Sequence, residues 1–293
     1  MYRHDPARTA ITDEHLALPL TPLWSYRMPQ PPEAAWPYPD KNLNRLDFDY
    51  APHPVIAGGL VCFASTADDT VRALDAATGE LKWQFTAGGP VRFAPQIADG
   101  KVYFGADDGI VYCLDASTGA MRWQFNANPA DERIIGNKRM ISRWPIRTGV
   151  LVYDNRVYTV AVMWPAEGIY VYALNAADGK VDWVNDTSGA GIERISHEAY
   201  SVSGLNPQGA LLATAKYIIV PNGRCAPASF DRLTGAFLYY QPGSLVNGTG
   251  GSWVTIDGDR VYTTAKSFYS PLAIAGLTLP ELYKTNSPAG RLS

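Results

Sequence analysis

Residues 71–85 read VRALDAATGELKWQF, and forty positions on, residues 111–125 read VYCLDASTGAMRWQF. Residues 171–183 give a third copy, VYALNAADGKVDW. Residues 227–239 give a degraded fourth, PASFDRLTGAFLY, which keeps Asp231, Thr234 and Gly235 but ends on Tyr239 instead of Trp. Each copy has the same physical content: the alternating apolar positions of a strand, an Asp or Asn and a Gly bounding a tight turn, then a second strand that ends on a large aromatic. The turn pairs are Asp75 with Gly79, Asp115 with Gly119, Asn175 with Gly179, and Asp231 with Gly235; the closing indoles are Trp83, Trp123 and Trp183. Another strand pair precedes the copies, as in residues 96–106 (QIADGKVYFGA) and 151–160 (LVYDNRVYTV), turning at Asp99-Gly100 and Asp154-Asn155. Two hairpins make four strands in about 40 residues, the size of one propeller blade.

The pattern A-x-D-x-x-T-G-x-x-x-W, intact at Ala73, Asp75, Thr78, Gly79 and Trp83, resembles the tryptophan-docking repeat of PQQ-dependent alcohol dehydrogenases and their non-catalytic relatives. Those relatives include the propeller lipoprotein of the outer-membrane β-barrel assembly machinery and exported PQQ-like repeat proteins of unassigned role. The resemblance implies an all-β fold, a β-propeller of four-stranded antiparallel blades. It also implies that the Trp of one blade packs on the turn of its neighbour, so that Trp83, Trp123 and Trp183 are core. Followed outward, the register makes Leu23-Trp24-Ser25-Tyr26 similar to the last strand of a blade. Residues 253–264 (WVTIDGDRVYTT) begin a fifth blade without the closing motif. About four and a half blades are thus expected, where related rings carry seven or eight. Open strand edges are avoided in native proteins, so the expectation is a fragment of such a ring, closed by missing blades or a second chain. The chain divides into residues 1–54, a closing strand and Pro-rich strap; 55–265, the blades; and 266–293, an incomplete fifth blade and irregular tail.

Net charge of −3 and a pI near 5.8 give no long-range attraction for nucleic acid or an anionic membrane. The apolar runs, such as residues 160–166, are too short to span a bilayer, so no transmembrane segment is expected. The first residues, Met-Tyr-Arg-His-Asp, lack the apolar core of a signal peptide; a periplasmic or extracellular location is what the resemblance implies. Cys62, Cys113 and Cys225 are far apart, which suggests buried small hydrophobes rather than a metal knuckle or disulfide framework.

Departures from a repeat are where function is placed. Trp83 to Pro95 is twelve positions, whereas Trp123 to the equivalent Val150 is twenty-seven. The insertion holds five basic residues between Arg133 and Arg147, with Trp144 among them, and would suit an acidic ligand; the alternative is a solvated loop whose arginines pair with its own acids. Aligning Asp99-Gly100 with Asp154-Asn155 superposes Arg92 on Arg147, with Gln208 and Gly251 at the corresponding places of the next blades. These positions precede the innermost strand, at the mouth of the central channel, where they would form a polar funnel or bond loop carbonyls. Arg139, Arg143 and Trp144 are expected to rise from the inserted loop. His197, beside Glu198 and Tyr200, and Arg224, in the Pro221–Cys225 stretch, complete the ligand-binding candidates.

The resemblance carries fold further than activity. Catalytic quinoproteins of this kind hold PQQ between a tryptophan and a disulfide of adjacent cysteines, beside Ca²⁺ held by acidic and amide groups. No two cysteines here are adjacent, and the pairs Asp68-Asp69 and Asp107-Asp108 fall at hairpin turns. No catalytic residue, metal ligand or cofactor is therefore assigned. The expectation is a non-catalytic binding or assembly scaffold for a protein or acidic carbohydrate. Alternatives are an enzyme acting on a polyanionic carbohydrate, or a truncated PQQ-dependent dehydrogenase.

Overall fold

The structure, a computed structural model, describes residues 1–36, 49, 51–188, 190–194, 200–222, 225–240, 252–257, 260–265 and 273–278. The first sheet comprises Val55–Ala57 (β1), Leu60–Ala64 (β2), Thr70–Asp75 (β3) and Leu81–Thr86 (β4). The second comprises Gln96–Ala98 (β5), Lys101–Gly105 (β6), Ile110–Asp115 (β7) and Met121–Asn126 (β8). A separate hairpin follows, Arg133–Gly136 (β9) and Arg139–Ser142 (β10). The third sheet is Ile146–Tyr153 (β11), Arg156–Ala161 (β12), Tyr170–Asn175 (β13) and Val181–Asn185 (β14). A second hairpin, Ala190–Arg194 (β15) with Tyr200–Gly204 (β16), leads to the fourth. That sheet is Leu212–Ala213 (β17), Tyr217–Asn222 (β18), Cys225–Asp231 (β19) and Phe237–Tyr239 (β20). Val254–Asp257 (β21), Arg260–Ala265 (β22) and Ala273–Thr278 (β23) form a three-stranded fifth.

Every sheet is an antiparallel meander in chain order. The first strands of successive sheets lie side by side, β1 by β5, β5 by β11, β11 by β17 and β17 by β21, as they do around the axis of a propeller. The larger apolar clusters lie between sheets rather than within one. Ala73 and Trp83 pack with Val102, Phe104 and Leu114, joining sheets one and two. Val111 and Trp123 pack with Val150, Val157 and Leu174, joining two and three. Further clusters join three with four and four with five. The middle strands β2, β3, β6 and β7 are accordingly buried on both faces, while β4 and β8 are exposed except at their indoles. This is a partial β-propeller of four-stranded blades.

The turn of each repeat explains its sequence. Asp75 Oδ1 accepts from the backbone N–H of Ala77 and Thr78, and the N–H of Gly79 returns to the carbonyl of Asp75. The Trp83 Nε1–H of the first sheet donates to the carbonyl of Ala116 in the second, 2.8 Å away. Its ring lies on Gly119, where φ is +72° and an added Cβ would sit 2.7 Å from an indole carbon. Only glycine fits both the left-handed backbone and that approach. Trp123 repeats the arrangement on Ala176 and Gly179, and Trp183 on Arg232 and Gly235.

Three expectations need correction. Trp183 is only half-buried, unlike Trp83 and Trp123 at 7% and 9% exposure. Leu23–Tyr26 forms no strand, yet Trp24 donates to the Ala76 carbonyl and lies on Gly79, so the indole contact persists without the ladder. Within 266–293, expected to hold an incomplete fifth blade and an irregular tail, β23 pairs with β22 from Arg260↔Thr278 to Ala265↔Ala273. The insertion after the second sheet is an ordered hairpin with Met140 opposite Ile135, not an open loop. Among the described residues, no helix is long and apolar enough to cross a membrane.

Candidate functional site

Arg92 ends up beneath the strap and Arg147 near the start of β11, and both reach Asp107, in the loop after β6. Arg92 Nε donates to Asp107 Oδ2 at 2.6 Å and its Nη1 to Asp49 Oδ2 at 2.5 Å; Arg147 Nη2 lies 3.5 Å from Asp107 Oδ2. All four side chains are at most 3% exposed. Burial works to lower the Arg92 pKa, but Asp107 and Asp49 outweigh it and raise the value; at Arg147 burial prevails over the more distant Asp107 and lowers it. In so dry a place an ion pair is retained only if its carboxylates stay with their cations.

The strap closes over this cluster. Arg92 Nη1 also donates to the Glu33 carbonyl, Ala35 N–H donates to Asp49, and the Arg147 guanidinium stands 4.9 Å from the Trp36 ring centre. Trp36 in turn meets Trp164, centroids 5.6 Å apart. The hairpin joins from the other side, Asn137 donating to the Ala34 carbonyl at 2.7 Å. Among the described residues, Asp107 Oδ1 and Arg147 Nε have no hydrogen-bond partner.

The other candidates are committed locally. Arg139 binds Asp69 through Nη2 and the Ala67 carbonyl through Nη1. Arg143 pairs with Glu132 and with Glu167, the latter at 3.0 Å. Trp144 does not rise from the loop: it is 5% exposed, and its Nε1–H donates to the Glu167 carbonyl. Gln208 is buried and bonds Asn206 rather than an arginine, while its neighbour Gly209 donates to the Arg147 carbonyl. His197, Arg224 and Gly251 lie outside the described residues. Sequence reasoning missed Asp49 and Asp107. A signal was available: two arginines at equivalent inner positions need buried acids, and Asp107 lies between them in the chain.

A second surface lies beside this cluster. The short 3₁₀ turn Pro165–Glu167 holds Trp144 and Arg143 of the first hairpin and also neighbours β15 and β16 of the second. Ile135, Met140, Trp164, Ile192 and Tyr200 on these elements are 46–78% exposed. Arg143 on this surface pairs with Glu132 and Glu167, while Ile135, Met140, Ile192 and Tyr200 stay exposed among the described residues.

Comparison with known proteins agrees with the fold. Residues 21–143 match the family described as outer membrane protein assembly factor BamB. BamB from Moraxella catarrhalis is similar at 18% identity and TM-score 0.53, over 77% of this chain and 59% of that one. A europium-containing methanol dehydrogenase is similar at 15% identity and TM-score 0.53, over 80% of this chain and 50% of that one. The quinohemoprotein alcohol dehydrogenase of Comamonas testosteroni gives 16% identity and TM-score 0.51, over 73% of this chain and 39% of that one. The chain thus spans 59% or less of the length of these three structures. None of the curated proteins matches the sequence. Four sequence repeats, cores shared between consecutive sheets and these likenesses agree on a partial β-propeller whose repeats are similar to those of the PQQ-like proteins.

Proposed function

We propose that the chain is a non-catalytic propeller scaffold that binds a protein partner through its two inserted hairpins, in the periplasm or at the outer membrane. The observation that carries this reading is the division of labour on one surface. The inner arginines are neutralised by the chain's own carboxylates, whereas Ile135, Met140, Ile192 and Tyr200 stay exposed on the elements that interrupt the repeat. Apolar and aromatic groups clustered on inserted elements favour protein contact. The likeness to an assembly factor supports the same reading.

Nothing among the described residues favours a site for PQQ with Ca²⁺. Cys62 and Cys113 are buried in separate sheets, and Asp49 and Asp107 are engaged by arginines. Among the described residues, no group of three or more His, Cys, Asp or Glu is arranged to hold a metal.

The test is site-specific photo-crosslinking in the native cell envelope from Ile135, Met140 and Tyr200, with Lys82 on the outer strand β4 as the control. Discrete protein adducts from the three positions and none from Lys82 support the reading. Equal labelling at all four positions would overturn it. So would salt-sensitive, saturable binding of a sulfated oligosaccharide that Arg147→Ala abolishes, which would restore the anion funnel.

A further inference from the structure

The first ten residues are bound as a peptide is bound. Pro6 and Ala7 offer their carbonyls to the N–H groups of Ala213, at the end of β17, and Ile256, in β21, each at 3.0 Å. Thr255 Oγ1 donates to the Arg8 carbonyl at 2.8 Å. These are inner strands of the fourth and fifth sheets, so the segment covers edges that would otherwise stand open.

Two side chains fill sockets. Tyr2 packs against the apolar cluster of sheets one and two and meets His53 and Trp253, centroids 5.3 and 6.2 Å away. His53 precedes β1 and Trp253 precedes β21, so Tyr2 links the first sheet to the fifth. Arg8 is 2% exposed; its Nε donates to the Leu211 carbonyl at 3.0 Å and its Nη1 to the Tyr2 carbonyl at 2.7 Å, with its guanidinium over the Tyr2 ring. Burial lowers the Arg8 pKa to about 10, so it enters as a cation.

The fit is local and strained. Arg3, His4, Arg8 and Ala10 all have positive φ, between 51° and 74°, a backbone that non-glycine residues hold only when their surroundings impose it. Beyond Ala10 the chain runs to Trp24 without a strand or helix, and Ile11, Leu16, Leu18, Leu20 and Leu23 are 64–78% exposed. The decapeptide is therefore held by its own contacts and not by the chain that follows it.

We propose that the channel between the inner strands of sheets one, four and five is a peptide-binding site, and that residues 1–10 occupy it as a displaceable internal ligand. The ligand class is a compact segment with an aromatic residue and an arginine six positions later, its carbonyls facing β17 and β21. This recognition mode uses main-chain bonds for affinity and side-chain sockets for specificity. It goes beyond the hairpin surface and does not depend on it.

The experiment replaces residues 12–17, all exposed, with a protease site in the full chain. The folded protein is cut and then titrated with a fluorescent peptide of sequence MYRHDPARTA. Exchange of the cut segment for the labelled peptide is expected, weakened about tenfold or more by Tyr2→Ala or Arg8→Ala in the peptide. Hydrogen exchange on the uncut chain gives an independent reading: the amides of Ala213 and Ile256 should open well before those of Ile218 and Ile219 in β18. Failure of a folded, cut protein to exchange, equal binding of the variant peptides, or release of Ala213 and Ile256 only on global unfolding would each overturn the proposal.

Discussion

The outer rim and the axial side of the propeller are held by opposite kinds of interaction. At the rim a neutral indole lies on a glycine and donates one hydrogen bond to the neighbouring sheet, and the arrangement recurs from Trp24 to Trp183. Toward the axis two arginines share one buried carboxylate, with Asp49 supplied by the strap and each group present once. The rim is stable because the same solution is repeated. The axial cluster is stable only while a single set of charges stays complete.

Removing Asp107 should break that distinction most severely. Asp107→Ala takes from Arg147 the carboxylate it pairs with and leaves Arg92 with Asp49 alone; loss of one member of a buried pair costs about 3–5 kcal/mol. Denaturant unfolding should show the loss, and a variant within about 1 kcal/mol of the parent would mean that water already reaches the cluster. At the rim, Trp83→Ala should cost about 3–4 kcal/mol through lost contact and the cavity left behind. The half-buried Trp183→Ala should cost less, about 1–2 kcal/mol. Equal losses would show that exposure does not grade the four indoles.

Acid titration sharpens the comparison through its sign. At the rim, hydrogen bonds from Lys82 and from the turn N–H groups of Thr78 and Ala77 hold the Asp75 carboxyl below its ordinary value of 3.8. Its contribution is present above that pH and is lost as pH falls through the depressed value. Beside the axial cluster, burial pushes Asp108 up, against the bonds from Tyr112, Ile110 and Gly88. Its contribution is present below 3.8 and is lost as pH rises through the raised value. Parent-minus-variant stability should thus rise with pH for Asp75→Asn and fall with pH for Asp108→Asn. Parallel slopes in paired melts would refute the assignment. The smallest effect belongs to Lys180→Ala, whose exposed pair with Asp178 should leave the unfolding midpoint unchanged.

The same contrast governs how much the sequence reveals. The rim was legible because its chemistry repeats every blade: Asp75, Gly79 and Trp83 have counterparts one period on, and comparing copies isolates them from noise. The axial cluster was half legible. Arg92 and Arg147 could be aligned because both precede an inner strand, but Asp107 sits beside Asp108 and Gly109 in what reads as a plain turn, and its burial depends on packing between sheets. The insertion was found as a break in spacing. That it folds as a hairpin rests on Ile134 pairing with Ile141 on its inner side, an alternation too short to stand out beside five basic residues. The binding of residues 1–10 left no sequence trace, since the strands that hydrogen-bond it lie more than two hundred positions away.

The direction of the indole contacts has a consequence for synthesis. Trp24 reaches forward to the turn at Gly79, Trp83 to that at Gly119, Trp123 to that at Gly179 and Trp183 to that at Gly235, so each of the first three sheets has its indole covered by residues made after it. A chain leaves the ribosome N-terminus first, and the growing end therefore carries one uncovered tryptophan that waits for the next turn to emerge. Each blade acts as the chaperone of the one before it. A pause in translation between Trp123 and Gly179, where the inserted hairpin lengthens the wait to 56 positions against 36 from Trp83 to Gly119, leaves a half-made propeller more exposed to the wrong partner than a pause one blade earlier.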